Sequence, residues 1–436
     1  MSPEIISLLS SINNQTVYIV FNPAIFDFTD KEAQNEIKIC LQDGRIIDIN
    51  LNENNLSFIM SILKISLFSD GMKIIVWDWK VIATYVLANT KKDYTVDAAI
   101  IDLKIIESYV GKKLNPPKNI KEAITRLKDL VVSGHWKEVD LIYRNLHLPL
   151  ATVVIPHLEC AGINDLLTGT RVHAFYEIDG QENGRLRSFQ AFKQGFVPHA
   201  MKPYVRDNLK PRFLDELFMV FDFRAMEVHM LAWLSKDPVL QALCKHPDVY
   251  YALYEKLTGK EPNKKNDRDF VKKTFLPVIY GQSSYMLGQR CNIPKDEADS
   301  IVDRINSLFP ISLEWINTQQ QQFKALGYAK NIFSKYRTFD EGKEYLVRNF
   351  CIQSPAAVVC LEKLNKLHFA LKEKTDIAYT IHDGYAVYAK KDNWKEIFQI
   401  AKNVLSDESE FCPGLHLKVT CRAGRNLNDL KALNKK

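Results

Sequence analysis

Between residues 15 and 110 the chain alternates two textures. Short runs dense in β-branched and aromatic residues, "TVYIVF", "RIIDINL" and "KIIVW", flank a stretch, "LSFIMSILKISLF", whose apolar positions recur at helical spacing. Such alternation predicts a small α/β unit. The prolines of "NPPKN", 115–119, interrupt it, and "NIKEAITRLKDLVV" follows with a helical period, so 118–170 reads as mainly helical. From 171 a β-rich stretch leads into "LFMVFDF". Long amphipathic helices are predicted over 227–330, and strands return near 377–389 and 416–421. The chain carries no internal repeat, and "QQQQ" at 319–322 lies inside a helical pattern.

Two acids break into these patterns. In "IAYTIHDGYAVYA", 377–389, His382, Asp383 and Gly384 stand in the middle of a β-forming run. A bend between two short strands accounts for Gly384, because glycine accepts backbone angles that other residues avoid. It leaves Asp383 unexplained. In "ELFMVFDFRAMEVHMLAWLS", 216–235, an apolar strand ends on Asp222, directly before a helix with apolar positions Met226, Met230, Leu231 and Leu234. Asp222 reads either as a helix N-cap, worth ~1 kcal/mol, or as a functional acid at a strand-to-helix junction. A third element is "DRDFVKKTFLPVIYG", 267–281, where Arg268, Lys272, Leu276 and Tyr280 recur every four residues along one helical stripe. The stripe suits a triphosphate at its cationic end and a base or sugar at the other. It equally suits an ordinary surface helix in a basic chain.

Composition narrows the class. A chain of 436 residues with 46% apolar and 11% aromatic residues is globular and long enough for two or three domains. A formal charge of +6 suits contact with a polyanion along one surface, and suits a bland basic enzyme as well. The eight cysteines, at 40, 160, 244, 291, 351, 360, 412 and 421, include no CxxC pair, and no His cluster stands at zinc spacing. They read as buried thiols in a reducing compartment. No run is apolar enough to span a membrane, and "MSPEIISLLSSINNQ" lacks the basic start of a signal peptide. A soluble cytoplasmic protein is expected.

Taken together, the three elements resemble family A DNA polymerases, the bacterial polymerase I type with its phage and mitochondrial relatives. "DFRAMEVHMLAWLSKD" is similar to motif A, with Asp222 and Glu227 matching its acids. Arg268, Lys272, Tyr280 and Gly281 meet the Arg-x3-Lys-x7-Tyr-Gly pattern of motif B, and "HDG" resembles the His-Asp-Glu of motif C. "GYAKNIFSKYRTF", 327–339, and "RNFCIQSPAAVVCLEKL", 348–364, look like the stretch after the fingers and the helix touching template and primer. "RVHAFYEIDGQENGRLRS", 171–188, is similar to the palm strand that approaches the primer end. The resemblance covers essentially 171–436.

It implies a template-directed DNA polymerase adding dNTPs to a primer 3′-hydroxyl by two-metal phosphoryl transfer. Asp222 and Asp383 would hold two Mg²⁺ ions, while Lys272 and Arg268 would bind the phosphates. Tyr280 would stack near the templating base. Glu227 would sit under the sugar, excluding a 2′-hydroxyl by bulk and by a hydrogen bond to Tyr280. Arg185, Asn349, Gln353 and His382 look like readers of the primer-template near its end, through acceptors common to all base pairs. For Asn349 and Gln353 helix-surface amides, and for His382 a core histidine, remain open.

The departures matter as much. Leu276 stands where the family has Phe or Tyr, Pro277 predicts a bend in the fingers helix, and Gly384 replaces the glutamate of motif C. The N-terminal part resembles the family's 3′ to 5′ exonuclease domain, but Asn22, Ala24 and Ile82 occupy acidic positions, leaving only Asp140 in "WKEVD". "NLHLPLATVVIPHLECAGI", 145–163, resembles the helix that opens the polymerase half, and only 164–170 stand where the family inserts a long helical thumb. The expected architecture is an α/β exonuclease-like (RNase H-like) domain, 1–144; a connecting helix with an absent or vestigial thumb, 145–170; and an α+β polymerase unit. In the latter, residues 171–230 and 341–436 form the palm and 231–340 the helical fingers. Low processivity and no proofreading are expected, with primer-template DNA and dNTPs as partners and a processivity factor, helicase or primase to compensate. Two other functions stay open: a primer-making or template-relaxed nucleotidyl transferase, and a non-catalytic DNA-binding replication scaffold. The compact form suits a phage or plasmid replicon acting in a bacterial host cytoplasm.

Overall fold

Exposed and buried positions alternate along Ile46–Leu51, so this strand offers one apolar face. In the computed structural model it forms the edge of a five-stranded sheet. The structure describes residues 12, 15–22, 35–51, 56–66, 68, 70–90, 96, 98–111, 115–190, 196–262 and 265–433. From the edge inward the strands are Ile46–Leu51, Asn35–Cys40, Thr16–Asn22, Lys73–Val76 and Ala99–Asp102. Asn35–Cys40 is antiparallel to both its neighbours, and the last two strands run parallel to Thr16–Asn22. Parallel neighbours need a crossover, which helix Trp79–Thr90 supplies. Val17, Ile37, Ile49, Leu63, Ile74 and Val86 close the core between sheet and helices.

The chain then turns helical through Ile120–Val132 and His135–Ile142, and continues as one rod to Ala161. Within the rod, Tyr143–His147 and Leu150–Val154 widen to π-helical form. Pro149 and Pro156 each remove an amide donor here, so the normal ladder cannot run unbroken. The rod is pinned by Glu159, which is fully buried. Its carboxylate accepts from Lys80 Nζ at 2.9 Å and Thr84 Oγ1 at 2.7 Å, both on helix Trp79–Thr90, and from the Tyr176 amide at 2.9 Å. One side chain thereby ties the N-terminal unit to strand Phe175–Glu177.

The segment 145–170, expected as a connecting helix with an absent or vestigial thumb, is helical only to Ala161. Residues Ile163–Asp165 and Thr170–Val172 instead pair as an antiparallel hairpin, joined on its outer side by Leu209–Lys210. Leu166 and Leu167 at its tip are 61% and 64% exposed.

A second five-stranded sheet, wholly antiparallel, has the order Ile377–Ile381, Gly384–Lys390, Glu216–Phe223, Val419–Gly424, Lys431–Ala432. Phe218, Phe221, Tyr385 and Val387 are buried in it, and the 26-residue helix Leu346–Leu371 packs nearby, its middle almost wholly buried. Between the two halves of this sheet in sequence come the helices from Met226–Ser235 to Pro310–Leu326, as the amphipathic pattern predicts, and their buried residues share one core with the sheet. Among the described residues no helix is long and apolar enough to cross a membrane. All eight cysteines are free thiols.

Removing the cation from the Glu159 network leaves a buried carboxylate uncompensated, which costs about 3–5 kcal/mol. Lys80→Met is therefore expected to lower stability by that amount in urea unfolding at pH 7. Burial already holds the Glu159 carboxyl above its usual range, so the loss shrinks as the pH falls and Glu159 takes a proton. A loss below about 1 kcal/mol would show that the pair does not carry the junction.

Candidate active site

Strand Glu216–Phe223 is apolar until its last turn of pairing, where Asp222 lies directly across the antiparallel ladder from Gly384. Asp383 precedes that glycine, and the Phe223 amide donates to the Asp383 carbonyl at 3.3 Å. The two acids, 161 positions apart in sequence (383 − 222), thus sit side by side. A tight turn over His382 and Asp383 joins strands Ile377–Ile381 and Gly384–Lys390. The left-handed residue in it is His382, with φ 49°, and Gly384 is not among the positive-φ residues. The expectation that Gly384 supplies the conformational freedom is therefore corrected: the turn demands it two residues earlier, as the first residue of a two-residue hairpin turn does. A Cβ at Gly384 would meet the Phe221 and Ile381 carbonyls at 3.4 Å and Asp222 Oδ1 at 3.6 Å, ordinary contacts that leave room for a side chain.

Burial and then the charge of Asp383 push the Asp222 carboxyl up to about 6, with Arg422, Lys272 and Arg268 pulling the other way. Burial also raises Asp383, opposed by Arg185 and Lys272. Neither side chain accepts a hydrogen bond from another of the described residues; Asp383 receives only its own amide. Asp222 does not cap the next helix: Met226–Ser235 begins from Ala225, in a left-handed conformation and with no side-chain cap. Nor does any cluster of three His, Cys, Asp or Glu side chains stand ready to hold a metal among the described residues. Two adjacent carboxylates with free oxygens and unfavourable mutual charge form a hard donor pair, suited to Mg²⁺ that keeps water and substrate oxygens as its other ligands.

Asp222 and Asp383 open on a cavity of about 600 Å³ whose far wall is helix Lys265–Ile279. Arg268, Lys272 and Leu276 line it, so the stripe read from the sequence does face the acids. Pro277 falls in the last turn, and the helix ends at Ile279. Two residues not foreseen organise the cations. Asp248 accepts from Arg268 Nε at 2.7 Å and also caps helix Val249–Thr258. The Tyr250 ring lies 5.0 Å from the Arg268 guanidinium and 5.5 Å from Lys272 Nζ, a shared aromatic bed. Burial pushes the Tyr250 hydroxyl up to about 12, so it stays neutral. An "HPD" before a helical run signals an N-cap, but nothing local signals that its carboxylate meets Arg268.

Glu227, five residues after Asp222, gathers three of the remaining candidates. It accepts from the Tyr280 hydroxyl at 2.5 Å, Gln353 Nε2 at 2.8 Å and Arg185 Nη2 at 3.2 Å. Asn183 donates to Gln353 Oε1 at 3.2 Å, fixing which way that amide points. Asn349 stands one turn before Gln353 on the same helix, half-buried, and lines no part of the cavity. The His382 ring packs at 4.3 Å on His199, another residue the sequence did not flag, whose Nδ1 shares a proton with Ser188 Oγ at 2.5 Å. Burial, helped by Arg185 and His199, drives His382 down to about 4, which keeps it a neutral imidazole.

Of the exonuclease-like positions, Ile82 is buried among apolar residues and Asp140 pairs at the surface with Arg144 Nε at 2.6 Å. Ala24 and the Asn22 side chain lie outside the described residues.

Residues 109–429 match the family model described as DNA polymerase family A. The chain is similar to DNA polymerase I of Chloroflexus aurantiacus, 26% identical over 254 residues that cover 54% of this chain and 27% of that protein. DNA polymerase I of Helicobacter pylori is 23% identical over 328 residues, 72% of this chain and 36% of that protein. That of Geobacillus stearothermophilus is 22% identical over 364 residues, 79% and 38%. The chain thus spans about a third of the length of these relatives. Among solved structures, the POL domain of Pol1 from M. smegmatis, in complex with DNA primer-template and dNTP, superposes with a TM-score of 0.74 at 15% identity, covering 99% of each chain.

The raised Asp222 carboxyl predicts a pH-dependent penalty. A carboxyl whose folded pKa exceeds its unfolded one binds its proton more tightly when folded, so stability falls as the pH climbs from about 4 to about 6 and stays low above. In metal-free buffer Asp222→Asn is expected to be about 2 kcal/mol more stable than the parent at pH 7.5 and no more stable at pH 4. Urea unfolding at the two pH values measures it, and an equal difference at both would refute the electrostatic origin.

Proposed function

The chain belongs to DNA polymerase family A, and from that membership we propose that it extends a DNA primer along a template, joining dNTPs to the 3′-hydroxyl. One observation carries the reading. Asp222 at the end of one strand and Asp383 in the turn that opens its neighbour meet with no side-chain oxygen bonded among the described residues, at the mouth of a cavity whose opposite wall carries two cations.

Asp222 and Asp383 would hold two Mg²⁺ ions, which when bound lower the pKa of the primer hydroxyl and neutralise the triphosphate. The chain's own residues do the rest. Lys272 and Arg268 meet the polyphosphate and stabilise charge on the departing pyrophosphate. Asp248 occupies only Nε of Arg268, so the terminal N–H groups remain for phosphate oxygens. Glu227 sits between the cavity and Tyr280, where its bulk and its bond to Tyr280 oppose a 2′-hydroxyl. Neutral His382, Arg185 and Gln353 form the side nearest the primer end, with Asn349 one turn further along the duplex path.

The partners on this reading are primer-template DNA and dNTPs. The N-terminal sheet, with its central strand antiparallel to one neighbour and parallel to the other, supports an exonuclease-like (RNase H-like) origin. Its lost acids support the absence of proofreading. A short hairpin where a helical thumb would grip the duplex supports low processivity, and with it a need for a protein that holds the DNA. The same shortage of duplex contacts leaves a template-relaxed transferase as the second reading, separated from the first by omitting the template.

Extension of a labelled hairpin primer with Mg²⁺ and dNTPs tests the proposal. Asp222→Asn and Asp383→Asn are each expected to lower the rate by about 10³-fold with unchanged circular dichroism. Either variant extending within tenfold of the parent would defeat the assignment. Glu227→Ala should leave dNTP extension measurable while narrowing the preference for dNTP over NTP by about ten- to a hundredfold. An unchanged preference would remove Glu227 from sugar selection.

A further inference from the structure

Ile82 is where the exonuclease resemblance puts an aspartate, and its surroundings are apolar. The side chain forms part of the wall of a second cavity, about 570 Å³, between helix Trp79–Thr90 and the π-widened rod. Phe68 and Trp79, edge to face at 5.8 Å, also line it. Apart from Arg144, Thr152 and Lys372, every lining residue is apolar, and none is acidic. The cavity has a physical cause: Pro149 and Pro156 lie in its wall, and a rod interrupted by prolines and π turns cannot close down on its neighbour as a regular helix would.

The mouth is cationic. Lys372 follows the buried helix Leu346–Leu371, is exposed, and has no ion pair among the described residues. Asp140 engages Arg144 through Nε alone, leaving four N–H donors. Phe369, beside Lys372 and 48% exposed, completes an apolar lip. A volume of this size falls within the range of specific ligand pockets, about 300–1,000 Å³.

We propose that this cavity docks a short acidic segment of a protein partner, which seats a bulky apolar side chain inside and lays a carboxylate on Lys372 and Arg144. An unpaired nucleotide would also bring a negative charge and a ring. Its base, however, carries several donors and acceptors, and the lining offers only the Thr152 hydroxyl and the Trp79 indole N–H as neutral polar side-chain groups to meet them. Burying those edges unpaired is unfavourable, whereas a phenylalanine or leucine has no such edge. The absence of any acid in the wall disfavours a basic peptide. The proposal does not depend on catalysis, since none of its residues lines the Asp222 cavity.

The test is selection of a random dodecapeptide library on the immobilised full chain, followed by fluorescence anisotropy with the enriched peptides. Enriched sequences are expected to place Phe, Leu or Trp beside Asp or Glu. They should bind at least about tenfold more weakly to the Arg144→Glu, Lys372→Glu double variant and to Ala83→Trp, which fills the cavity. The surface charge reversal keeps the test valid if the tryptophan unfolds the unit, and primer extension by the double variant should match the parent. Enrichment without acids, binding indifferent to the charge reversal, or displacement of the peptide by oligothymidylate at equal concentration would each overturn the proposal. Loss of extension in the parent chain would instead count against the polymerase reading and leave the docking result standing.

Discussion

The polymerase half of the molecule is organised around two like charges held next to each other out of bulk water. Bringing Asp222 and Asp383 together is unfavourable twice over, through desolvation and through mutual repulsion. What fixes them is register. Phe218, Phe221, Tyr385 and Val387 are buried along the same two strands, and a slip of one residue would turn every one of them to the opposite face together with Asp222. The apolar core therefore supplies the energy that holds the acids where their own electrostatics would part them. Compensation comes from outside the hairpin, with Arg422 on the neighbouring strand, Arg185 on a loop, and Lys272 and Arg268 on helix Lys265–Ile279. The charge balance of the acids is consequently shared between the sheet and that helix, and a movement of the helix changes it.

Two glutamates act as junctions in different ways. Glu159 is sealed, with every contact internal, and joins the N-terminal unit to strand Phe175–Glu177. Glu227 is partly open and joins the end of helix Lys265–Ile279, the helix Leu346–Leu371 and the loop of Arg185 through Tyr280, Gln353 and Arg185. A sealed junction resists motion. A half-exposed one can exchange partners, because water or a ligand hydroxyl can replace a donor at little cost.

Much of this was legible in the sequence because the informative residues violate a local pattern. Asp222 and Asp383 stand out as acids ending or interrupting apolar strands, and the Arg268, Lys272, Leu276 stripe comes from helical period alone. Even the bond between Glu227 and Tyr280 emerges once the motifs are aligned. The parts that escaped are those decided by packing. Tyr250 and Asp248 lie about twenty residues before Arg268 and meet it only because two helices fold together. His199 is an unremarkable histidine until it stacks on His382. The hairpin at 163–172 rests on two strands of three residues each, too short to leave a period in the sequence. The strain assigned to Gly384 belongs to His382, since composition names a flexible residue without saying which position of the turn requires it.

A raised carboxyl is not in itself the mark of a site, as one comparison within the chain makes clear. Asp102, at the end of strand Ala99–Asp102, is also pushed up to about 6 by burial and a neighbouring acid, Asp78. Its oxygens, however, are fully engaged: they accept from the amides of Asp78 and Trp79 and cap helix Leu103–Tyr109 through Lys104 and Ile105. Lys104 further neutralises Asp78 at 2.6 Å. An oxygen committed to backbone amides cannot bind an ion without breaking the fold, so Asp102 is architectural. Asp222 shows the same displacement with none of those donors, and only the charges of Arg422, Lys272 and Arg268 offset it. The difference between a structural acid and one available for chemistry therefore lies in hydrogen-bond satisfaction, which the fold creates and which a pKa alone conceals.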